Sequence, residues 1–312
     1  MQPQTIQTET SFKAPTEKTW KVWWNLLRPH TLTAAFVPVF IGTALALYDT
    51  SVDWPLFFAM LLASLLIQAA TNMINEYYDY KKGLDNENSV GIGGAIVRHG
   101  VKPSTVLQLA FAFFGIATLL GVYICMNSTW WLAAIGTACM AAGYFYTGGP
   151  YPIAYTPFGE IVAGFFMGFV IILISFYIQT GTISDTAMLI SIPISILVGA
   201  ILLANNIRDI VGDKENGRKT VAILLGRKNA IFLLAAMFIV SYALIVLFIA
   251  LGYASFWILL VFLSVAKPLS AIKGFTNNNS NVTMMPAMVA TAKTNTIFGF
   301  LLGIGLVIGY FA

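Results

Sequence analysis

Long apolar runs, each near the length of a membrane-crossing helix, alternate along this chain with short polar segments. A bilayer core takes about 20 apolar residues per helix. The pattern predicts nine such helices, near 30–48, 55–78, 104–125, 129–147, 159–180, 186–208, 229–251, 254–272 and 292–311. Only Met126-Asn127-Ser128 separates the third from the fourth, and the seventh and eighth are about as close, so each pair is expected to form an antiparallel hairpin. The predicted fold is therefore all-α, a polytopic membrane bundle. A single membrane-embedded domain over 29–312 follows a polar cytoplasmic tail, 1–28. That tail is broken by Pro3 and Pro15 and carries Glu9 and Glu17, with no continuous apolar core before Val37. It reads as neither a signal peptide nor a transit sequence.

Composition removes the soluble alternatives. The chain is 58% hydrophobic and 10% charged over 312 residues, where a soluble protein has about a quarter of its residues charged. Cys125 and Cys139 lie inside apolar segments without metal or redox spacing and read as small packing residues. The net charge of +4 does not point to nucleic acid, because its placement carries the information. With the N-terminus inside, all 17 lysines and arginines fall in inner segments, while the outer loops hold Asp49, Asp53 and Asp185. The positive-inside rule then puts the N-terminus in the cytoplasm and the C-terminus outside, in a cell membrane expected to be bacterial.

Two stretches interrupt the apolar pattern in the same way. One runs from Asn72 through Asn75, Glu76 and Asp79 to Lys81, Lys82 and Asp85. The other runs from Asn205 through Arg208, Asp209, Asp213 and Lys214 to Arg218 and Lys219. Asn72 aligns with Asn205 and Glu76 with Asp209 at an offset of 133 residues. Both stretches end even-numbered helices, so they are expected to open to one face. Helices 1–4 and 5–8 then form a parallel internal repeat, with both ends at the centre of the bundle. Residues three and four apart share a helix face, which places Asn72, Glu76 and Asp79 on one side of the second helix and Asn205, Asp209 and Asp213 on one side of the sixth. Ionisable groups at membrane helix ends are costly unless something binds them.

Carboxylates and amides without histidine or thiol suit Mg²⁺, and Mg²⁺ is commonly shared with phosphate oxygens. Glu76, Asp79, Asp85, Asp209 and Asp213 are the expected metal ligands, with the first two and the last two also expected to be catalytic. Asn72, Asn75, Arg98, Tyr146, Asn205, Arg208, Lys214, Arg218 and Lys219 are expected to bind substrate. Lys81, Lys82, Arg227 and Lys228 read instead as determinants of topology.

The paired motifs, Asn75-Glu76-Tyr77-Tyr78-Asp79 with Asp85 and Asn205 with Asp209 and Asp213, resemble those of the UbiA superfamily of intramembrane aromatic prenyltransferases. The resemblance covers nearly the whole chain and departs at Glu76, where the family usually has aspartate. The Gly-Gly-Ala-Ile-Val-Arg run at 93–98, the turn from Tyr146 to Pro150, and Gly217-Arg218-Lys219-Thr220 look most like the menaquinone branch. The resemblance implies Mg²⁺-dependent transfer of a polyprenyl group from its diphosphate to 1,4-dihydroxy-2-naphthoate, with loss of the carboxylate, giving demethylmenaquinone. It also implies that Tyr77, Tyr78, Tyr144 and Tyr146 could shield an allylic cation. Other branches often place a basic residue in the loop after the fourth helix. None stands between Tyr146 and Tyr155 here, so diphosphate contacts are expected from elsewhere. The alternatives are another acceptor (4-hydroxybenzoate, homogentisate or haem) and, from a different class, a cation-coupled transporter, whose acids would sit near mid-membrane.

Overall fold

In hydrocarbon, backbone N–H and C=O groups find no water, so each apolar run satisfies them internally as a helix. The computed structural model describes residues 19–84 and 94–312, and there the chain is helical with no strand. In chain order the helices are α1 (Thr19–Leu27), α2 (Pro29–Ala46), α3 (Trp54–Lys81), α4 (Ala95–His99), α5 (Pro103–Asn127), α6 (Trp131–Thr147), α7 (Gly159–Thr180), α8 (Asp185–Glu215), α9 (Val221–Leu225), α10 (Arg227–Ala250), α11 (Phe256–Asn277) and α12 (Asn281–Phe311). A helix stands at each of the nine expected segments. By length and apolarity, however, seven of the described helices qualify as spans, or eight where α1 and α2, joined across a 55° bend, are counted together as one. The helix at the expected segment 129–147, α6, has 17 residues and is short for a span.

Several helices outrun the apolar signal. The sixth apolar segment ends near 208, yet α8 runs on to Glu215 and carries the second motif with it. The last helix starts at Asn281 rather than near 292, where Ser280 and Thr283 cap it reciprocally. Hydropathy detects only the part of a helix that lies in hydrocarbon. A helix of 31 residues is about 46 Å long against a core of about 30 Å, so its polar turns project beyond it.

The two halves pack alike: α3 lies mainly along α5, and α8 along α10, while α12 fills the space against α2, α8 and α11. Close approach of α7 to α8 depends on two small residues one turn apart. A Cβ at Gly164 or Gly168 would come within 2.5 or 2.4 Å of the Ser195 backbone. This contact lies in a stretch of α7, Gly164–Val170, wound as π-helix. The largest apolar core among the described residues lies mostly in the second half, around Ile194 and Leu203, and takes in Val37 and Ile41 of α2 and Phe298 of α12. A smaller one, with Val22, Leu26, Met73 and Ile96, sits where α3 ends.

Candidate active site

Between α3 and α8, which touch little directly, lies a cavity of about 340 Å³. Its walls also come from α2, α5, α6 and α7 and are mostly apolar. Along α3 it reaches from Met60 to Asn75, about 22 Å at the helical rise. The polar groups gather at the Asn75 end: Arg28, Asn72, Asn75, Tyr146 and Asn205 all line it there. The Asn75 Oδ1 is buried and has no hydrogen-bond partner. Of the four expected aromatic shields only Tyr146 lines this cavity. Tyr78 and Tyr144 share a 2.8 Å hydrogen bond between their hydroxyls and pack with the smaller core at the end of α3.

Beyond that polar end the two motifs meet at one side chain. Arg218 donates from Nη2 to Asp79 Oδ1 at 3.2 Å and from Nη1 to Asp213 Oδ1 at 3.0 Å. All three side chains are well covered, at 15%, 18% and 8% exposure. Burial alone would lower the Arg218 pKa. The Asp213 and Asp79 carboxylates, with Tyr155, outweigh it and raise the pKa above the ordinary value, so the guanidinium stays charged. The Oδ2 of Asp213 is buried without a hydrogen-bond partner. One turn earlier on α8, Asp209 accepts from Arg208 Nε at 2.8 Å and Nη2 at 2.5 Å. The remaining Arg208 nitrogen rests on the sulfurs of Met285 and Met288 at 3.0 and 2.9 Å.

The other expected site residues are placed differently. Glu76 is 1% exposed and turned toward α4, where its Oε1 accepts from Ile96 N at 3.1 Å. The opening turn of a helix leaves N–H groups without intrahelical partners, and a carboxylate satisfies one there. Asn72 donates to Leu27 O at 3.1 Å and Thr31 Oγ1 at 2.9 Å, tying the corner between α1 and α2. Arg98 is exposed on α4 and folds back over Gly94. Lys214 and Lys219 are exposed, although the Lys219 backbone N–H donates to Tyr155 O at 2.9 Å. Asp85 and most of its glycine-rich loop lie outside the described residues. Among the described residues no three histidine, cysteine, aspartate or glutamate side chains stand close enough together to hold a metal. The expected bare cluster of acids is instead divided between two arginines and the start of α4.

Sequence reading missed three participants. Tyr155, in the loop without basic residues, lies between two cations, with Lys82 Nζ 4.6 Å and Arg218 Cζ 5.0 Å from its ring centroid. Lys82, read as a topology determinant, also donates to Thr147 O at 3.0 Å. Burial lowers its pKa, with Asp79 opposing the shift. The loop therefore supplies a ring and a carbonyl on which cations from both motifs rest. Glu160, at the start of α7, is 7% exposed and accepts from Asn206 Nδ2 at 2.8 Å, while its other oxygen has no partner.

A helical bundle with an apolar cavity whose polar mouth adjoins paired acidic helix ends is the arrangement of an intramembrane prenyl-transfer protein, and the family comparison agrees. The UbiA prenyltransferase family matches residues 35–288, and the chain belongs to that family. It is 62% identical over 291 residues to the 1,4-dihydroxy-2-naphthoate octaprenyltransferase of Bacillus subtilis (strain 168), covering 93% of this chain and 94% of the relative. Two solved structures share the fold. A UbiA homolog from Aeropyrum pernix K1 aligns with a TM-score of 0.66 at 16% identity, over 88% of this chain and 97% of that one. A UbiA homolog from Archaeoglobus fulgidus bound to GPP and Mg²⁺ aligns with a TM-score of 0.59 at 16% identity, over 90% and 99%.

Proposed function

We propose that this protein transfers a polyprenyl group from polyprenyl diphosphate to 1,4-dihydroxy-2-naphthoate, with loss of the carboxylate, in menaquinone biosynthesis. The observation that carries this reading is the convergence of Asp79 and Asp213 on Arg218 beside the polar mouth of an apolar cavity. The relationship to the Bacillus enzyme supplies the choice of acceptor. Placement at helix ends, rather than on interrupted helices at mid-membrane, favours group transfer over ion-coupled transport.

The donor set fits a hard divalent cation. It is composed of carboxylate oxygens, one Asp213 oxygen is buried without a partner, and Asp79 and Asp213 already share one cationic neighbour. Asp79, Asp209 and Asp213 would hold Mg²⁺, which when bound offsets the negative charge of the diphosphate and favours its departure. Arg218 and Lys82, arranged around Tyr155, supply fixed positive charge to the diphosphate oxygens, and Arg208 adds a further guanidinium one turn away. The prenyl tail occupies the apolar cavity, whose walls keep water from the reactive carbon. Asn75, Asn205 and Tyr146 offer hydrogen bonds to the acceptor at the mouth. The naphthoate ring forms the new C–C bond as the C–O bond to diphosphate breaks, with that electron pair leaving on the diphosphate. Loss of CO₂ returns electrons to the ring. By the positive-inside rule, the basic residues at the motif end favour the cytoplasmic side of a bacterial cell membrane for this chemistry.

The test is to incubate purified protein with Mg²⁺, radiolabelled polyprenyl diphosphate and, in turn, dihydroxynaphthoate, 4-hydroxybenzoate, homogentisate and haem. Product with dihydroxynaphthoate alone is expected. Product with another acceptor alone would overturn the assignment.

A further inference from the structure

The first described helix has two faces of different character. Val22 and Leu26, four residues apart, are 3% and 1% exposed and belong to the core at the end of α3. On the opposite side Trp20 and Trp24, also four apart, are 62% and 51% exposed, with Lys21 and Asn25 exposed beside them. Two tryptophans and a lysine on an outward face match the headgroup zone of a bilayer, where amphipathic rings gather and lysine meets anionic lipid. The position agrees, because α1 leads directly into α2 through a 55° bend. At the bend Arg28 adopts a left-handed φ of 51°, unusual for a residue with a Cβ. The corner is held from inside: Asn72 donates to Leu27 O and to Thr31 Oγ1. In addition, α1 packs on α4, which Glu76 holds through Ile96 N.

We propose that α1 is an interfacial helix that lies in the headgroup layer at the motif end of the bundle and docks there on anionic lipid through Trp20, Lys21 and Trp24. Its inner face then braces the corner from which Arg28 reaches the cavity, so two residues of the first motif anchor a membrane-seated strut.

The experiment uses the full chain in vesicles of phosphatidylglycerol or of phosphatidylcholine, comparing wild type with W20F/W24F. The chain has seven tryptophans, so the difference in emission isolates the pair. Lipids brominated high in the acyl chain should quench that difference several-fold more than aqueous iodide does. Quenching by iodide with indifference to brominated lipid would overturn the docking. In phosphatidylglycerol vesicles K21E should reduce lipid quenching of the pair, with little change in phosphatidylcholine. An equal effect of K21E in both lipids, or none in either, would overturn the anionic preference.

Discussion

The ends of α3 and α8 carry aligned residues and use them for different work. Asn205 lines the cavity, whereas Asn72, which also lines it, spends its amide on the corner between α1 and α2. Asp209 keeps a carboxylate 31% exposed and paired with Arg208. Its counterpart Glu76 is sealed at 1% exposure against α4. From the first end only Asp79 joins Arg218, while the second end contributes Asp213 and Arg218 itself. A repeat in sequence thus fixes where polar residues emerge from the membrane without fixing what each one touches. On the proposed chemistry the second end is the chemical half of the site, and the first is half chemical, half architectural.

The largest expected effect separates the acids. Asp79→Asn, Asp209→Asn and Asp213→Asn should each lower turnover on the order of 10²–10³-fold, as loss of a fixed electrostatic partner does, while leaving membrane insertion intact. Glu76→Gln should retain most activity because its side-chain carbonyl still accepts from Ile96 N, a contrast read directly by comparing kcat for E76Q and D209N. A collapse of E76Q to the level of D209N would erase the distinction between the two ends.

Arg218→Ala comes next. It leaves two covered carboxylates facing each other, and thermal unfolding in detergent should show a loss of about 3 kcal/mol, together with a raised KM for the donor diphosphate. Asn72→Ala should lower stability by about 1–2 kcal/mol with a smaller change in kcat than at Asp79. Smallest is Tyr155→Leu, which removes the ring between Lys82 and Arg218. Cation–π support is worth about 0.5–1 kcal/mol at such sites, so donor KM should rise by a few-fold with kcat little changed.

Much of this was legible before the fold. Apolar length and the positions of lysine and arginine indicated a helical membrane bundle, and the repeat brought the two acidic stretches to one end. The repeat set Asp79, Asp213 and Arg218 at the same end, and the fold supplies their contact. What was not legible depended on neighbours far along the chain. Glu76 meets a backbone N–H 20 residues away, and nothing in its own surroundings distinguishes that partner from a metal. Tyr155 receives cations from residues 82 and 218, neither of which announces an aromatic partner. Glu160 did carry a signal, an acid at the start of an apolar span with no lysine or arginine nearby. Its partner Asn206 was in plain view within the second motif.

On the proposed chemistry Asp79 and Asp213 act on one bound diphosphate rather than separately. A double-mutant cycle with Asp79→Asn and Asp213→Asn, read as the affinity for polyprenyl diphosphate in the presence of Mg²⁺, tests it most directly. Strong coupling is expected, with the double variant little weaker than either single one and an interaction energy of about 1 kcal/mol or more. Simple additivity of the two losses would contradict it.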